Sequence, residues 1–189
     1  MSSFSQNLIF IYTGNGKGKT SASLGLGLRS LRDNKKVILI QFIKSKKESG
    51  EVSLKKVLPK LEIKCFGKGF VLKKNKEYEI GNKEIIKKGI EFSKKIIKSK
   101  KYSVIILDEI FVALDLKLIT INDILDIIKL FKIKSSKNSK SSKFSVLVLT
   151  GRNCPKSLYK SVDLVTEMKE IKHPFQKGIQ AIKGIDYWV

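Results

Sequence analysis

Residues 13 to 20 read Thr-Gly-Asn-Gly-Lys-Gly-Lys-Thr, and this loop constrains the fold more than any other part of the chain. An apolar run, Leu8 to Tyr12, leads into it, and leucines recur at 24, 28 and 31 after it with helical spacing. The pattern is strand, glycine-rich turn, helix. A phosphate chain needs such a setting: backbone N–H groups converging without Cβ atoms in the way, an ammonium against the oxygens, and a hydroxyl for Mg²⁺ at a helix N-terminus. Gly14, Gly16 and Gly18, with Asn15 and Lys17 between them, supply the first; Lys19 supplies the second and Thr20 the third. The strict G-x-x-x-x-G-K-[ST] spacing asks for glycine at position 13, where Thr13 stands, so the loop is a variant of that pattern.

Further apolar runs follow: Val37 to Ile43, Leu61 to Phe66, Ser103 to Leu107, Phe144 to Leu149 and Leu164 to Ile171. Helical spacing appears at Ile85, Ile86, Ile90 and Ile97, and again from a Thr120–Asp123 capping signal to about Ile133. Strands without polar alternation, separated by helices, indicate a parallel sheet covered on both faces. The fold class is therefore α/β, a three-layer sandwich with a mostly parallel central sheet. Roughly 70% of the surface of a chain this long can be buried on folding, so residues 1–189 are read as one domain without metal or disulfide support. The stretch Lys132 to Lys143 is low complexity and is read as a solvated loop.

Lys and Arg number 39 against 17 Asp and Glu, a formal net charge of +22, which raises nucleic-acid binding as a function. The lysines are spread over almost every segment and accompany a high use of Ile, 25 residues, so the charge reads as compositional bias and no nucleic-acid partner is expected. Only Arg29, Arg32 and Arg152 are arginines. No apolar run approaches the ~20 residues of a membrane span, and too little precedes the first strand for a signal peptide, so a cytoplasmic protein without a membrane partner is expected. Cys65 and Cys154 lie in no metal-ligand spacing and are read as two buried thiols.

Asp108 and Glu109 end the run Val104 to Leu107, at the carboxyl edge where open α/β sheets bind ligands. One carboxylate there can hold Mg²⁺ while the other positions a ligand or a water. Arg152 follows the run ending at Leu149 and is expected at the same edge, within reach of a phosphate. Arg29 and Arg32 lie on the helix after the loop and read as packing or surface residues. His173 has no nucleophile near it in sequence, which argues against a triad and leaves ligand contact open.

Taken in order, the loop at 13–20, Gln41 to Lys44, Gly67-Lys68-Gly69-Phe70, Ile106 to Glu109, Thr150 to Arg152 and the long block from Val165 to Gly178 resemble the P-loop corrinoid adenosyltransferases, ATP:cob(I)alamin adenosyltransferases. The resemblance spans nearly the whole chain and implies a P-loop NTPase (RecA-like) fold. It implies that the cobalt of a cob(I) corrinoid attacks C5′ of ATP, forming a cobalt–carbon bond and releasing triphosphate. Lys19, with Mg²⁺ on Thr20, Asp108 and Glu109, then stabilises charge on the leaving group, and no catalytic base is needed. The resemblance further implies that Phe70 displaces the lower axial ligand of cobalt. Val71 and Leu72 stand where the family commonly has Thr and Trp, so Leu72 offers a smaller apolar wedge. A homodimer and an electron donor such as a flavoprotein are implied as partners.

Two other functions fit parts of the sequence. A P-loop ATPase or kinase would use Glu109 to orient a water for attack on the γ-phosphate and would release ADP. A nucleic-acid-dependent NTP-binding module would require basic residues clustered with aromatics, and here they are dispersed.

Overall fold

The structure, a computed structural model, describes residues 7–45, 49–69, 76–133, 144–180 and 182, with the side chains of 76–80 excepted. Six strands form its sheet: β1 (Asn7–Thr13), β2 (Val37–Phe42), β3 (Leu61–Phe66), β4 (Val104–Asp108), β5 (Ser145–Thr150) and β6 (Leu164–Glu167). Four helices accompany them: α1 (Lys19–Arg32), α2 (Lys76–Ser99), α3 (Ile110–Asp115) and α4 (Ile121–Ile133). The strand order is β3-β2-β4-β5-β1-β6, and every neighbouring pair is parallel. The expected parallel sheet is thus found.

The unbroken apolar runs are explained by burial on both faces. In β4, Ile105 and Leu107 join a cluster with Ile86, Ile90, Ile124 and Ile127 of α2 and α4. Val104 and Ile106 of the same strand face the other way, into a cluster with Val37, Leu39 and Val148, against which Leu24 and Leu31 of α1 pack. Alternate residues therefore serve alternate layers. The Thr120 signal acts as read: its amide donates to Asp123 Oδ2 at 2.8 Å and its hydroxyl accepts from the Asp123 amide at 3.3 Å.

Three expectations are corrected. β2 stops at Phe42 because Ile43 turns to φ 70, which ends ladder geometry. β6 ends at Glu167 rather than Ile171, because Met168 leaves the ladder to brace the first loop and Ile171 is 94% exposed. Cys154 is buried, but Cys65 is only half-buried, since β3 is the edge strand. Burial pushes the Cys154 thiol up to about 12, so it stays protonated. Residues 134–143 of the low-complexity stretch lie outside the described residues. Among the described residues no helix is long and apolar enough to cross a membrane.

With all strands parallel, the segments after β1, β2, β4 and β5 emerge at one edge of the sheet, and β5 lies between β1 and β4. The motifs separated by more than a hundred residues in sequence meet there.

Candidate active site

The loop after β1 passes through Gly14 at φ 99 and Gly18 at φ 108, and α1 begins at Lys19. Positive φ at both positions favours glycine. The Lys19 side chain is buried, and its ammonium donates to the carbonyls of Gly14 at 2.8 Å and Gly16 at 2.7 Å. Desolvation pulls its pKa down, with Arg152 acting the same way, while Glu109 and Asp108 oppose the shift.

The glycines answer first to protein rather than to a ligand. A Cβ on Gly14 would lie 2.3 Å from the Met168 carbonyl oxygen, and one on Gly16 would lie 2.8 Å from it. The Gly16 amide donates to that same oxygen at 2.7 Å, and the Met168 amide donates to the Thr13 carbonyl at 2.8 Å. The sequence reading assigned the amide of Gly16 to the phosphate cradle; the structure gives it to Met168. Asn15 also turns toward this segment, accepting from the Glu170 amide at 3.2 Å. Gly14 does not line the cavity beside the loop, whereas residues 15–20 do.

Asp108 is fully buried beneath that cavity at the end of β4. Its Oδ1 accepts from the hydroxyls of Thr20 at 2.8 Å and Thr150 at 2.7 Å, and its Oδ2 accepts from Gln41 Nε2 at 3.3 Å. Glu109, the next residue, takes φ 60, and its amide donates to Thr150 Oγ1 at 2.9 Å. That backbone turn separates the two carboxylates: Glu109 lines the cavity, with Oε2 buried and without a hydrogen-bond partner among the described residues. Burial, reinforced by Asp108, raises its pKa against the pull of Lys44, Lys19 and Arg152. The Thr20 hydroxyl, Asp108 and the orphaned Glu109 oxygen form a hard oxygen set at a helix start. No group of three His, Cys, Asp or Glu among the described residues could cage a metal. The oxygen set fits the chemistry of Mg²⁺, which takes one or two protein oxygens and completes its shell with phosphates and water.

Five cavity-lining residues were not assigned to the site from sequence: Ser21 in the first turn of α1, Lys44, Glu51, Glu170 and His173. Lys44, just beyond β2, places its ammonium 3.9 Å from Asp108 Oδ2 and 3.7 Å from Glu51 Oε1. Glu51 sits on a 3₁₀ turn, Gly50–Lys56, and accepts from Ser49 Oγ at 2.8 Å, with Gln41 Oε1 also against that hydroxyl. Burial raises the Glu51 pKa, but Lys44, a backbone amide, Ser49 and Gln41 outweigh it and hold the carboxylate below its ordinary range. Glu170 and His173 complete the wall. From sequence, His173 was left open as a ligand contact, the Gln41–Lys44 and Val165–Gly178 motifs included Lys44 and Glu170 without assigning them a role, and nothing pointed at Glu51. The cavity measures about 360 Å³. Arg152 reaches it as expected, from an exposed position, while Arg29 and Arg32 are exposed in the last turn of α1 and do not line it. Phe70 and Leu72 lie outside the described residues.

A lysine-bearing glycine loop between β1 and α1, facing acidic residues at the end of β4, one strand removed from β1 in the parallel sheet, defines a P-loop NTPase-like α/β protein. Flagellar accessory protein FlaH from Methanocaldococcus jannaschii superposes with a TM-score of 0.51 and 14% identity over 85% of this chain and 70% of that one, a likeness of fold. The family model for the ATP:corrinoid adenosyltransferase BtuR/CobO/CobP matches residues 5–187, and the chain belongs to that family. A corrinoid adenosyltransferase of Sinorhizobium is 32% identical over 185 residues, covering 96% of this chain and 81% of the relative. Those of Escherichia coli K12 and Salmonella typhimurium are each 28% identical over 96% of this chain and 86% of the relative. The chain is accordingly a transferase that carries the adenosyl group of ATP to a corrinoid. Cleavage of the γ-phosphate is not favoured.

Proposed function

We propose that the cavity between the Gly14–Thr20 loop and Glu109 holds the triphosphate of ATP, and that Lys19 stabilises it as a leaving group. The convergence of Lys19, Thr20, Asp108, Glu109 and Arg152 at one sheet edge carries this reading. A polyanion entering there gives the Lys19 ammonium stronger acceptors than the two loop carbonyls it now holds, because anionic oxygens accept more strongly than neutral ones. Asn15, Lys17 and Gly18 line the same wall and contribute backbone donors and charge. Arg152, with its planar fork, takes a further phosphate edge.

Thr20, Asp108 and Glu109 would hold Mg²⁺, which when bound neutralises charge on the triphosphate. The orphaned Glu109 oxygen supports that role. A corrinoid cobalt in the cob(I) state supplies the electron pair for the bond to C5′, the C5′–O bond breaks, and its electrons leave on triphosphate. The protein contributes position and electrostatics, so a titrating base is not required. Phe70 and Leu72 are assigned to the lower face of the corrinoid, on the family resemblance. A single domain, a homodimer, a cytoplasmic location and a flavoprotein electron donor complete the reading.

The test combines ATP, Mg²⁺ and chemically reduced corrinoid, followed by the light-sensitive spectrum of the alkyl-cobalt product and by phosphate analysis. Triphosphate without matching ADP is expected, and Lys19→Ala should lose activity by a factor of about 100 or more while still folding cooperatively. Activity of Lys19→Ala within tenfold of wild type would remove the loop from the nucleotide site.

A further inference from the structure

The segment after β6 carries the chain's one histidine to the wall of the same cavity. His173 caps a short 3₁₀ turn, Pro174–Lys177, and its Nδ1 accepts from the Phe175 amide at 3.1 Å. With Nδ1 accepting, the ring proton belongs to Nε2, and among the described residues no hydrogen bond occupies that nitrogen. Gln176 closes a capping box by accepting from the His173 amide at 3.4 Å, and its amide nitrogen donates to Glu170 Oε1 at 3.3 Å. Glu170 is tied in turn to Asn15, and Met168 to Thr13 and Gly16. The imidazole is thus held in register with the lysine loop by a continuous chain of hydrogen bonds.

Capping alone does not call for histidine, since Ser, Asp and Asn fill an N-cap better. Histidine differs in having a second nitrogen, here a donor, on a wall it shares with Lys17 and Lys19. We propose that His173 is a substrate-binding residue that donates Nε2–H to an oxygen of the ATP triphosphate, an inference that rests on the nucleotide reading above. Phosphate oxygens accept without donating, so they match a donor-only nitrogen, and a hydrogen bond to a charged group is worth about 10- to 100-fold in affinity.

Two substitutions separate the cap from the ligand contact. His173→Asn keeps a side-chain acceptor at the N-cap and removes the second nitrogen; His173→Ala removes both. Calorimetry with inorganic triphosphate, ATP and adenosine, each with Mg²⁺, provides the readout. Both variants should bind triphosphate and ATP about 10- to 100-fold more weakly, with adenosine affinity unchanged. Gln176→Ala, which keeps the ring but cuts its tie to Glu170 and so to the lysine loop, should weaken triphosphate binding by less than His173→Ala does. Wild-type triphosphate affinity in His173→Asn would reduce the residue to a cap, and a loss confined to adenosine would move the contact to the nucleoside; either overturns the proposal. Triphosphate binding that survives Lys19→Ala would sink the nucleotide reading itself. Binding abolished by Lys19→Ala and untouched by His173→Asn would sink the role of His173 alone.

Discussion

Replacing Gly14 with alanine asks whether the loop's glycines are required by bound phosphate or by the protein's own backbone. The added methyl group would stand 2.3 Å from the Met168 carbonyl oxygen and 2.9 Å from its amide nitrogen, where ordinary contact begins at 3.4 Å. The loop or the segment after β6 must therefore move by about 1 Å. Backbone cannot rotate out of the way as a side chain can. The positive φ of 99 adds about 1–3 kcal/mol of strain for an L residue, and loss of one hydrogen bond to Met168 adds about 1 kcal/mol. A destabilisation of roughly 2–4 kcal/mol lowers the melting temperature of a chain this size by about 5–15 °C. Gly18→Ala is the comparison, since its Cβ would meet only the Met168 sulfur at 3.6 Å and carries strain without the clash. Thermal melts of both variants without nucleotide, beside adenosyl-transfer rates, decide the matter. A 1 Å displacement of the loop should also cost about 100-fold in rate. An unchanged melting temperature for Gly14→Ala would refute the bracing role of Met168.

Three further outcomes are expected. Glu109→Gln should weaken transfer and Mg²⁺-dependent ATP binding together, measured by turnover and calorimetry, because the amide removes the charge but keeps the shape; unchanged Mg²⁺ dependence would count against this carboxylate as a metal ligand. Glu51, held below its ordinary value of 4.5, contributes stability that is present above that pH and lost as pH falls through its depressed value. Glu51→Gln should therefore melt below wild type near neutral pH, and the gap should close under acid; a gap constant with pH contradicts the assigned shift. Phe70→Ala should slow turnover far more when cob(II)alamin is reduced on the enzyme than when cob(I)alamin is supplied, and equal losses in both assays would withdraw the ligand-displacement role.

The middle of the sheet was readable because β2, β4 and β5 are buried on both faces, which leaves unbroken apolar runs such as Val146 to Leu149. The site was readable where chemistry has a residue signature: lysine in a glycine loop, paired carboxylates, an isolated arginine. Parallel topology did the rest, bringing the ends of β1, β4 and β5 together. Met168 was not readable, because it acts through backbone N–H and C=O groups that any residue carries. Lys44 and Glu51 were hidden for another reason. Among so many lysines a single one is unremarked, and its place between Asp108 and Glu51 exists only after β2 and β4 pair.

Thr13, the residue that breaks the strict loop spacing, gains a physical account from the same contacts. It is buried; its hydroxyl accepts from the Cys154 amide at 3.2 Å and its carbonyl from the Met168 amide at 2.8 Å. Glycine at this position would keep the second bond and lose the first. The hydroxyl fixes the segment after β5, which carries Arg152, and the carbonyl fixes the segment after β6, which carries His173. One residue at the end of β1 therefore sets the register of both flanking walls against the loop that holds Lys19. A threonine there exchanges the freedom of a glycine for a fixed spacing between three segments that meet a single ligand, and an enzyme whose catalysis rests on positioning gains from that exchange.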